Sequence, residues 1–572
     1  MKTIIKKAAK KCSLSLSICF LFLFMLVIFG PSEIFFSNNT EFHFIYTDFI
    51  NNTIIITLVI SILYGLLAAI LPDVIWRCIN SVILGISIAG YIQIMFLNRN
   101  LELMGLSAEG FSATSSDMVI NLIIWLIIIG LFTFLSLRFK KDSVSGFITF
   151  ALIFIQGVAL VGLIMGADES CYKYPNTEYH LSGQEQYTLS ENDNIVVFIL
   201  DCFSNLELDN AIAADPACIA PYKDFTRYNN GDCVYFGTFP SLTHMFTGNL
   251  VDFDLTVDEW QTTSWTSPAS TYFYDELNKR DIKLNFYTNE LTILTGGNPP
   301  ESLLTGKINN FNQDPLKREV DRKALTKGMI KMSAYRLSPK IIKNRFYAQP
   351  SDYQDVVTVC EHQINHENYD FKRDFDQNGI SLTDYKGLLT VQHLMGTHVF
   401  ENDIYGQQKE DASPEETAIG CLYVVSNYLD EMKKRGIYDS ATIIITADHG
   451  SAYGQVPIFM IKEPGAKNDE ILLNTAPISH MDFLATIAQA AGIDPTPIGP
   501  TIYDFEPGEL RERSFYLRDM RDDYPEVPCY TGDKSGGSNV YLKFTYTGTE
   551  DNLKELFWEG YNDIIPMTDC YY

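Results

Sequence analysis

Positive charge is scarce in this chain. Lysine and arginine number 43 against 70 aspartates and glutamates, a formal net charge of -27. That excludes a sequence-independent nucleic-acid binder, because such binding rests on a basic surface that neutralises phosphates. An acidic exterior suits divalent cations and a protein kept soluble beside a membrane. No CxxC pair is present, so nothing points to a structural zinc site. Internal repeats and low-complexity tracts are also missing, so neither a repeat array nor a biased tract organises the chain.

Charge is almost absent from five stretches, at about 13–30, 53–72, 74–97, 118–137 and 145–166. Within them Arg77 is the only charged residue, close to one end where it can snorkel. Each stretch is near the roughly 20 residues that a bilayer-crossing helix requires. Lys2, Lys6, Lys7, Lys10 and Lys11 form a basic leader of the kind a signal peptide carries. A small-x-small cleavage site is lacking, however, and four further stretches follow, which favours an uncleaved first helix. Residues 1–166 therefore read as a transmembrane region of five helices. The leader and the basic loop at 138–141 fall on one side, with the turn carrying Asp73 and Arg77 beside them. Cytoplasmic flanks retain lysine and arginine, so the expected topology is multi-pass in the plasma membrane, with a cytoplasmic N-terminus and everything after Ala167 extracytoplasmic. Eight of the 11 cysteines then lie outside: Cys171, Cys202, Cys218, Cys233, Cys360, Cys421, Cys529 and Cys570. Disulfides are permitted there, and sequence alone gives no pairing.

At 572 residues the chain exceeds what one core supports. A polar connector at 167–193 leads to the run Ile195-Val196-Val197-Phe198-Ile199-Leu200, which has the unbroken apolar character of a strand buried on both faces. Similar runs recur at 388–391, 442–446 and 458–461. Helices fall between them. Ser413-Pro414-Glu415-Glu416 is a capping box with proline at the first helical position, and Gly436 after Lys433-Lys434-Arg435 marks that helix's end. Strands alternating with helices predict an α/β domain over 194–505 with helices on both faces of the sheet. After it, 514–517 and 540–544 read as short strands around the turn Gly532-Asp533-Lys534-Ser535-Gly536-Gly537, so 506–572 is expected to be a small β-rich subdomain.

Ligands in such sheets bind at the carboxyl ends of strands, where Asp201 and Asp448-His449-Gly450 stand. Between them in sequence lies Thr238-Phe239-Pro240-Ser241-Leu242-Thr243-His244-Met245-Phe246-Thr247-Gly248. A hydroxyl, two carboxylates and an imidazole are a ligand set for one divalent metal, which would make Thr238 an activated nucleophile for phosphoryl transfer. Thr238 is equally a helix cap ahead of Pro240, and Asp201 alone has the same ordinary reading. His393 and His398 flank Leu394-Met395-Gly396-Thr397 at the mouth of another strand, with His398 the better candidate for a substrate or second-metal contact. His244 and His480 read as structural.

Taken together, these ordered motifs resemble the alkaline phosphatase and sulfatase superfamily. With five spans ahead of them, they are most similar to lipoteichoic acid synthases and lipid A phosphoethanolamine transferases. The likeness implies a metal held by Asp201, Thr238, Asp448 and His449, either zinc or manganese, with a second ion as the open alternative. It implies substrate contacts at His398, His393 and Ser241, and Thr238 as catalytic residue. It further implies transfer of a phosphoglycerol or phosphoethanolamine head group from a membrane phospholipid to a cell-envelope glycan, polymer or lipid through a phospho-threonine. True sulfatases differ, since their Cys-x-Pro-Ser-Arg run makes a formylglycine and this chain has Thr238 and Leu242 at the first and last places. Relatives with two metals carry an Asp-x-x-x-His pair where this chain has His393 with different spacing. A hydrolase using water as acceptor and a non-enzymatic membrane sensor or assembly factor are the competing readings.

Overall fold

The computed structural model describes residues 2–39, 42–98, 111, 113–174, 179–289, 291–295, 301–313, 317–353, 356–359, 363–450, 456–519, 540–549, 552 and 563–566. The chain divides into two compact units. One comprises Met1–Thr177 and Pro315–Cys360; the other comprises Glu178–Asp314 and Glu361–Tyr572.

The first unit holds five helices long and apolar enough to cross a membrane: Ile4–Ser37, Thr47–Ala69, Asp73–Leu97, Ser115–Phe139 and Asp142–Gly166. The first runs further than the expected 13–30. It continues through a π-helical turn at Phe24–Phe29 and past Pro31. Glycine sets one close helix approach: a Cβ on Gly85 would lie 2.9 Å from the Ile129 Cα, as in other membrane helix pairs where small residues let backbones meet. Lys10 reaches Asp142 at 2.8 Å, Arg77 also pairs with Asp142, and Lys7 and Lys11 both reach Asp73 at 2.5 Å. The leader and the two loops expected on one side thus meet at one end of the bundle.

Residues Pro315–Cys360, which the sequence reading placed inside 194–505, group with these helices instead. The helix Arg322–Leu337 explains the difference. Its Leu325, Met329 and Met332 form an apolar stripe, buried in one cluster with Phe24, Ile28, Phe35, Phe44 and Phe49.

In the second unit a seven-stranded mixed sheet has the order Leu472–Asn474, Thr226–Tyr228, Phe459–Lys462, Thr442–Thr446, Asp193–Leu200, Gly387–Leu394, Ile282–Tyr287. Asp193–Leu200 lies between two parallel neighbours, and Phe459–Lys462 pairs antiparallel on both sides. Alternate residues of the central strand feed two cores. Val196, Phe198 and Leu200 pack with Phe371 and with Leu422, Val425 and Leu429 of the helix Pro414–Arg435. Ile195, Val197 and Ile199 pack with Leu242, Met245 and Phe246 of Thr238–Thr247, and with Phe483 and Ile487. The result is the α/β/α layering predicted from the apolar runs. Ser413 caps Pro414–Arg435 in a capping box with Glu416, and Gly436 closes it at φ 77°.

The connector 167–193 is partly built into this unit. Thr188–Ser190 pairs in parallel with Ser381–Thr383, and His180–Leu181 pairs antiparallel with Phe311–Asn312. A second sheet runs Asp563–Pro566, Val540–Thr547, Glu512–Asp519, Tyr235–Phe236. The expected turn at 532–537 lies outside the described residues. Among the described residues every cysteine is free: Cys12, Cys19, Cys78, Cys171, Cys202, Cys218, Cys233 and Cys421. Cys360, Cys529 and Cys570 lie outside them.

Candidate functional site

Strand register brings the site together. His393 is opposite Ile199, and Ile199 is opposite Thr446 on its other side. One step beyond Leu200 the chain reaches Asp201, and two beyond Thr446 it reaches Asp448. These carboxyl ends lie in the second unit alone. Asp201 is also stitched to the next loop, its amide donating to the Leu394 carbonyl at 3.0 Å and its carbonyl accepting from Thr397 at 2.9 Å. The approach is so close that a Cβ on Gly396, at φ +56°, would lie 2.3 Å from the Asp201 carbonyl oxygen.

Asp201, His393 and Asp448 are all buried and bring ligand atoms within 4.8 Å of one another. His449 Nε2 lies 3.6 Å from Asp201 Oδ1 and 3.5 Å from Asp448 Oδ2. His398 Nδ1 lies 2.9 Å from Asp201 Oδ2, with its ring half-exposed at the mouth. Asp201, Cys202 and His398 form a second group of comparable spacing.

Each of these side chains has a defined state. Asp448 has one oxygen occupied, Oδ1 accepting from the amides of His449 at 2.9 Å and Cys202 at 3.3 Å. Burial, and then the Asp201 charge, push the Asp448 carboxyl up. The imidazoles of His449 and His393 and the nearby Thr238 hydroxyl pull the other way. Burial also raises Asp201, but the His398 hydrogen bond and the neighbouring imidazoles outweigh it and hold that carboxyl below the usual carboxylate range. The same hydrogen bond raises His398, while burial lowers His393. Cys202 adopts φ 62° directly after Asp201, and burial followed by the two carboxylates keeps its thiol far above the usual range.

Thr238 opens the helix Thr238–Thr247, and Gly237 occupies the capping position. The capping role considered for Thr238 is therefore not the one it has. Its hydroxyl is close enough to Asp448 to draw that carboxyl down. The two-residue strand before it is held by the second sheet, with Tyr235 opposite Tyr516 and Phe236 opposite Leu517. The Phe236 ring in turn lies 5.1 Å from that of His449.

Two residues sit differently from expectation. Ser241 is fully buried and donates to the Tyr235 carbonyl at 3.2 Å, so it braces the turn into the helix and is closed to a substrate. His393 is buried too, away from the mouth, with Nδ1 bonded to Thr288 Oγ1 at 2.9 Å. Thr288 had escaped notice, as had its strand Ile282–Tyr287, whose Leu284 and Phe286 alternate with more polar residues. His244 and His480 are buried away from the carboxylates, bonded respectively to the Asn249 carbonyl and near Thr446 Oγ1.

The donor set fits a divalent cation. Asp201 Oδ1, Asp448 Oδ2 and His393 Nε2 are buried without any hydrogen-bond partner, and buried carboxylate oxygens left so are costly unless paired or coordinated. Oxygen and imidazole donors together suit zinc and manganese alike.

No family model matches the chain, and no curated protein matches it. Solved structures do. Lipoteichoic acid synthase LtaP from Listeria monocytogenes is 10% identical, with 68% of this chain and 97% of that chain covered at a TM-score of 0.33. A protein in the alkaline phosphatase superfamily from Vibrio parahaemolyticus is 11% identical, covering 66% and 85% at 0.35. Phosphonate monoester hydrolase SpPMH from Silicibacter pomeroyi is 15% identical, covering 63% and 87% at 0.34.

Proposed function

We propose that this chain is a membrane-anchored, metal-dependent phosphotransferase. It moves a phospholipid-derived head group, phosphoglycerol or phosphoethanolamine, to an extracytoplasmic glycan, polymer or lipid through a phospho-threonine at Thr238. The observation that carries the reading is the set of unpartnered buried atoms of Asp201, Asp448 and His393, close to a threonine hydroxyl that draws the Asp448 carboxyl down. Asp201, Asp448, His449 and Thr238 would hold the cation, with His393 a further donor grouped with both carboxylates. When bound, such an ion polarises a phosphoryl oxygen and lowers the pKa of a hydroxyl.

The chain's own residues supply the rest. Thr238 Oγ1 attacks phosphorus, giving its proton toward the nearby Asp448 carboxylate. The bond from phosphorus to the diacylglycerol oxygen breaks, and diacylglycerol leaves as the alcohol, its oxygen taking the proton that Thr238 released. Backbone N–H groups of the helix that Thr238 opens face the phosphate charge, and His398 at the half-exposed mouth contacts the substrate. An acceptor hydroxyl then displaces the head group from Thr238. The five apolar helices keep this chemistry close to the lipid donor, with the α/β unit on the outer side.

The test is intact mass spectrometry of the full chain in detergent after exposure to mixed membrane phospholipids. A mass increment equal to one head group is expected on Thr238, and none on Thr238→Ala. Turnover by Thr238→Ala equal to that of the parent chain would refute the covalent route. Release of free head group at an unchanged rate without any glycan or lipid acceptor would identify a hydrolase.

A further inference from the structure

Residues Pro315–Cys360 are a basic island in an acidic chain, with ten lysines and arginines against four aspartates and glutamates. They group with the apolar helices. Within this helical unit, Arg322 pairs with Asp48 at 3.5 Å, Lys331 with Asp352 at 2.5 Å and Arg336 with Glu33 at 3.0 Å. Lys323 and Lys327 have no ion-pair partner within 4.0 Å among the described residues, and both are exposed. They stand one turn apart on the rim of a groove of about 560 Å³ between Arg322–Leu337 and Thr47–Ala69, whose other walls are Asn52, Ile55, Ile56, Thr326 and Ile330.

The groove's level along the span is fixed by sequence and contact. Thr47–Ala69 begins with Thr47, Asp48, Asn51 and Asn52 and is apolar from Ile54 onward. Asn52 Nδ2 bonds the Arg322 carbonyl and Thr326 Oγ1, each at 3.3 Å. Two ammonium groups outside any ion pair, with only the more distant Asp352 carboxylate acting on Lys327, therefore sit where a span changes from polar to apolar, beside the exposed Ile55. This is the level of lipid phosphates in a bilayer, with hydrocarbon immediately below.

We propose that this groove holds an anionic membrane phospholipid, its phosphate between Lys323 and Lys327 and the upper part of its acyl chain along Ile55 and Ile330. The assignment is independent of which lipid, if any, the α/β unit consumes. Basic pockets between membrane helices select anionic head groups by charge, while their apolar walls accept any lipid. A zwitterionic lipid would leave the two ammonium groups without net compensation.

Native mass spectrometry of the full chain in detergent, titrated with phosphatidylglycerol or with phosphatidylcholine of the same acyl composition, tests this. The parent chain is expected to retain phosphatidylglycerol at concentrations where phosphatidylcholine is lost. Lys323→Gln with Lys327→Gln should weaken that retention by about fivefold per lysine, roughly 25-fold for the pair. Lys323→Arg with Lys327→Arg should keep it. Lys433→Gln with Lys434→Gln, on the helix Pro414–Arg435 of the α/β unit, should leave it unchanged. Equal retention of the two lipids by the parent chain, or undiminished phosphatidylglycerol retention by the double glutamine variant, would overturn the proposal.

Discussion

Replacing Gly396 by alanine would drive a methyl group into the backbone of Asp201, and neither loop has room to yield because each is bonded to the other. Gly396→Ala is therefore expected to cost about 2–4 kcal/mol and to abolish turnover together with metal retention; wild-type turnover would show that the loops adjust freely. His244 offers a prediction of a different kind. Burial holds its imidazole down to about 4, against a smaller opposing pull from the Asn249 carbonyl. Unfolded, the ring titrates near 6.5. Between the two values the unfolded chain binds the extra proton, so this contribution is complete above about pH 6.5 and is lost as pH falls toward 4, by up to about 3 kcal/mol. Thermal midpoints at pH 7.5 and 5 should fall less in His244→Asn than in the parent; an equal fall would exclude His244 as a source. Asp201, Thr238, Asp448 and His449 were legible because each follows a recognisable strand or opens a helix. Gly396 and Thr288 were not, since backbone clearance and the partner of a buried imidazole leave no trace in residue order.

Among the elements, the strand Glu512–Asp519 carries Arg513, which is 4% exposed. Its guanidinium donates to the Asn230 carbonyl at 2.7 Å, to Asn230 Oδ1 at 2.7 Å and to the Ile478 carbonyl at 3.0 Å. Truncating it strands three buried acceptors, so Arg513→Ala should destabilise the α/β unit by about 2–4 kcal/mol. It should also slow turnover, because the same strand aligns Tyr235–Phe236 ahead of Thr238. An unfolding midpoint and rate indistinguishable from the parent's would sink this view. Sequence reading gives the terminal strands only as a small β-rich subdomain. The link was invisible because Tyr235–Phe236 is too short to register as a strand, and its pairing is wholly nonlocal. By contrast Pro414–Arg435 was readable at both ends, since capping signals are local chemistry.

For the molecule as a whole, a cation among Asp201, Asp448, His449 and Thr238 would bind the folded state alone and so raise its apparent stability. Chelation of the purified chain is expected to lower its thermal midpoint by several degrees and stop turnover, with both restored by zinc or manganese; an unchanged midpoint would contradict the assignment. The five apolar helices and the layered sheet were evident from hydropathy and buried runs, which are local properties. The attachment of Pro315–Cys360 to the helical unit was not, because it depends on which apolar face accepts Leu325, Met329 and Met332. The pairing of Tyr235 with Tyr516 has a temporal side as well. During synthesis, Asp201, Asp448, His393 and His449 emerge before the strand that sets the threonine, which arrives about 280 residues after its partner. A nascent chain stalled between His449 and that strand would present the carboxylates and imidazoles with the hydroxyl still unaimed, and so stay chemically silent beside its lipids.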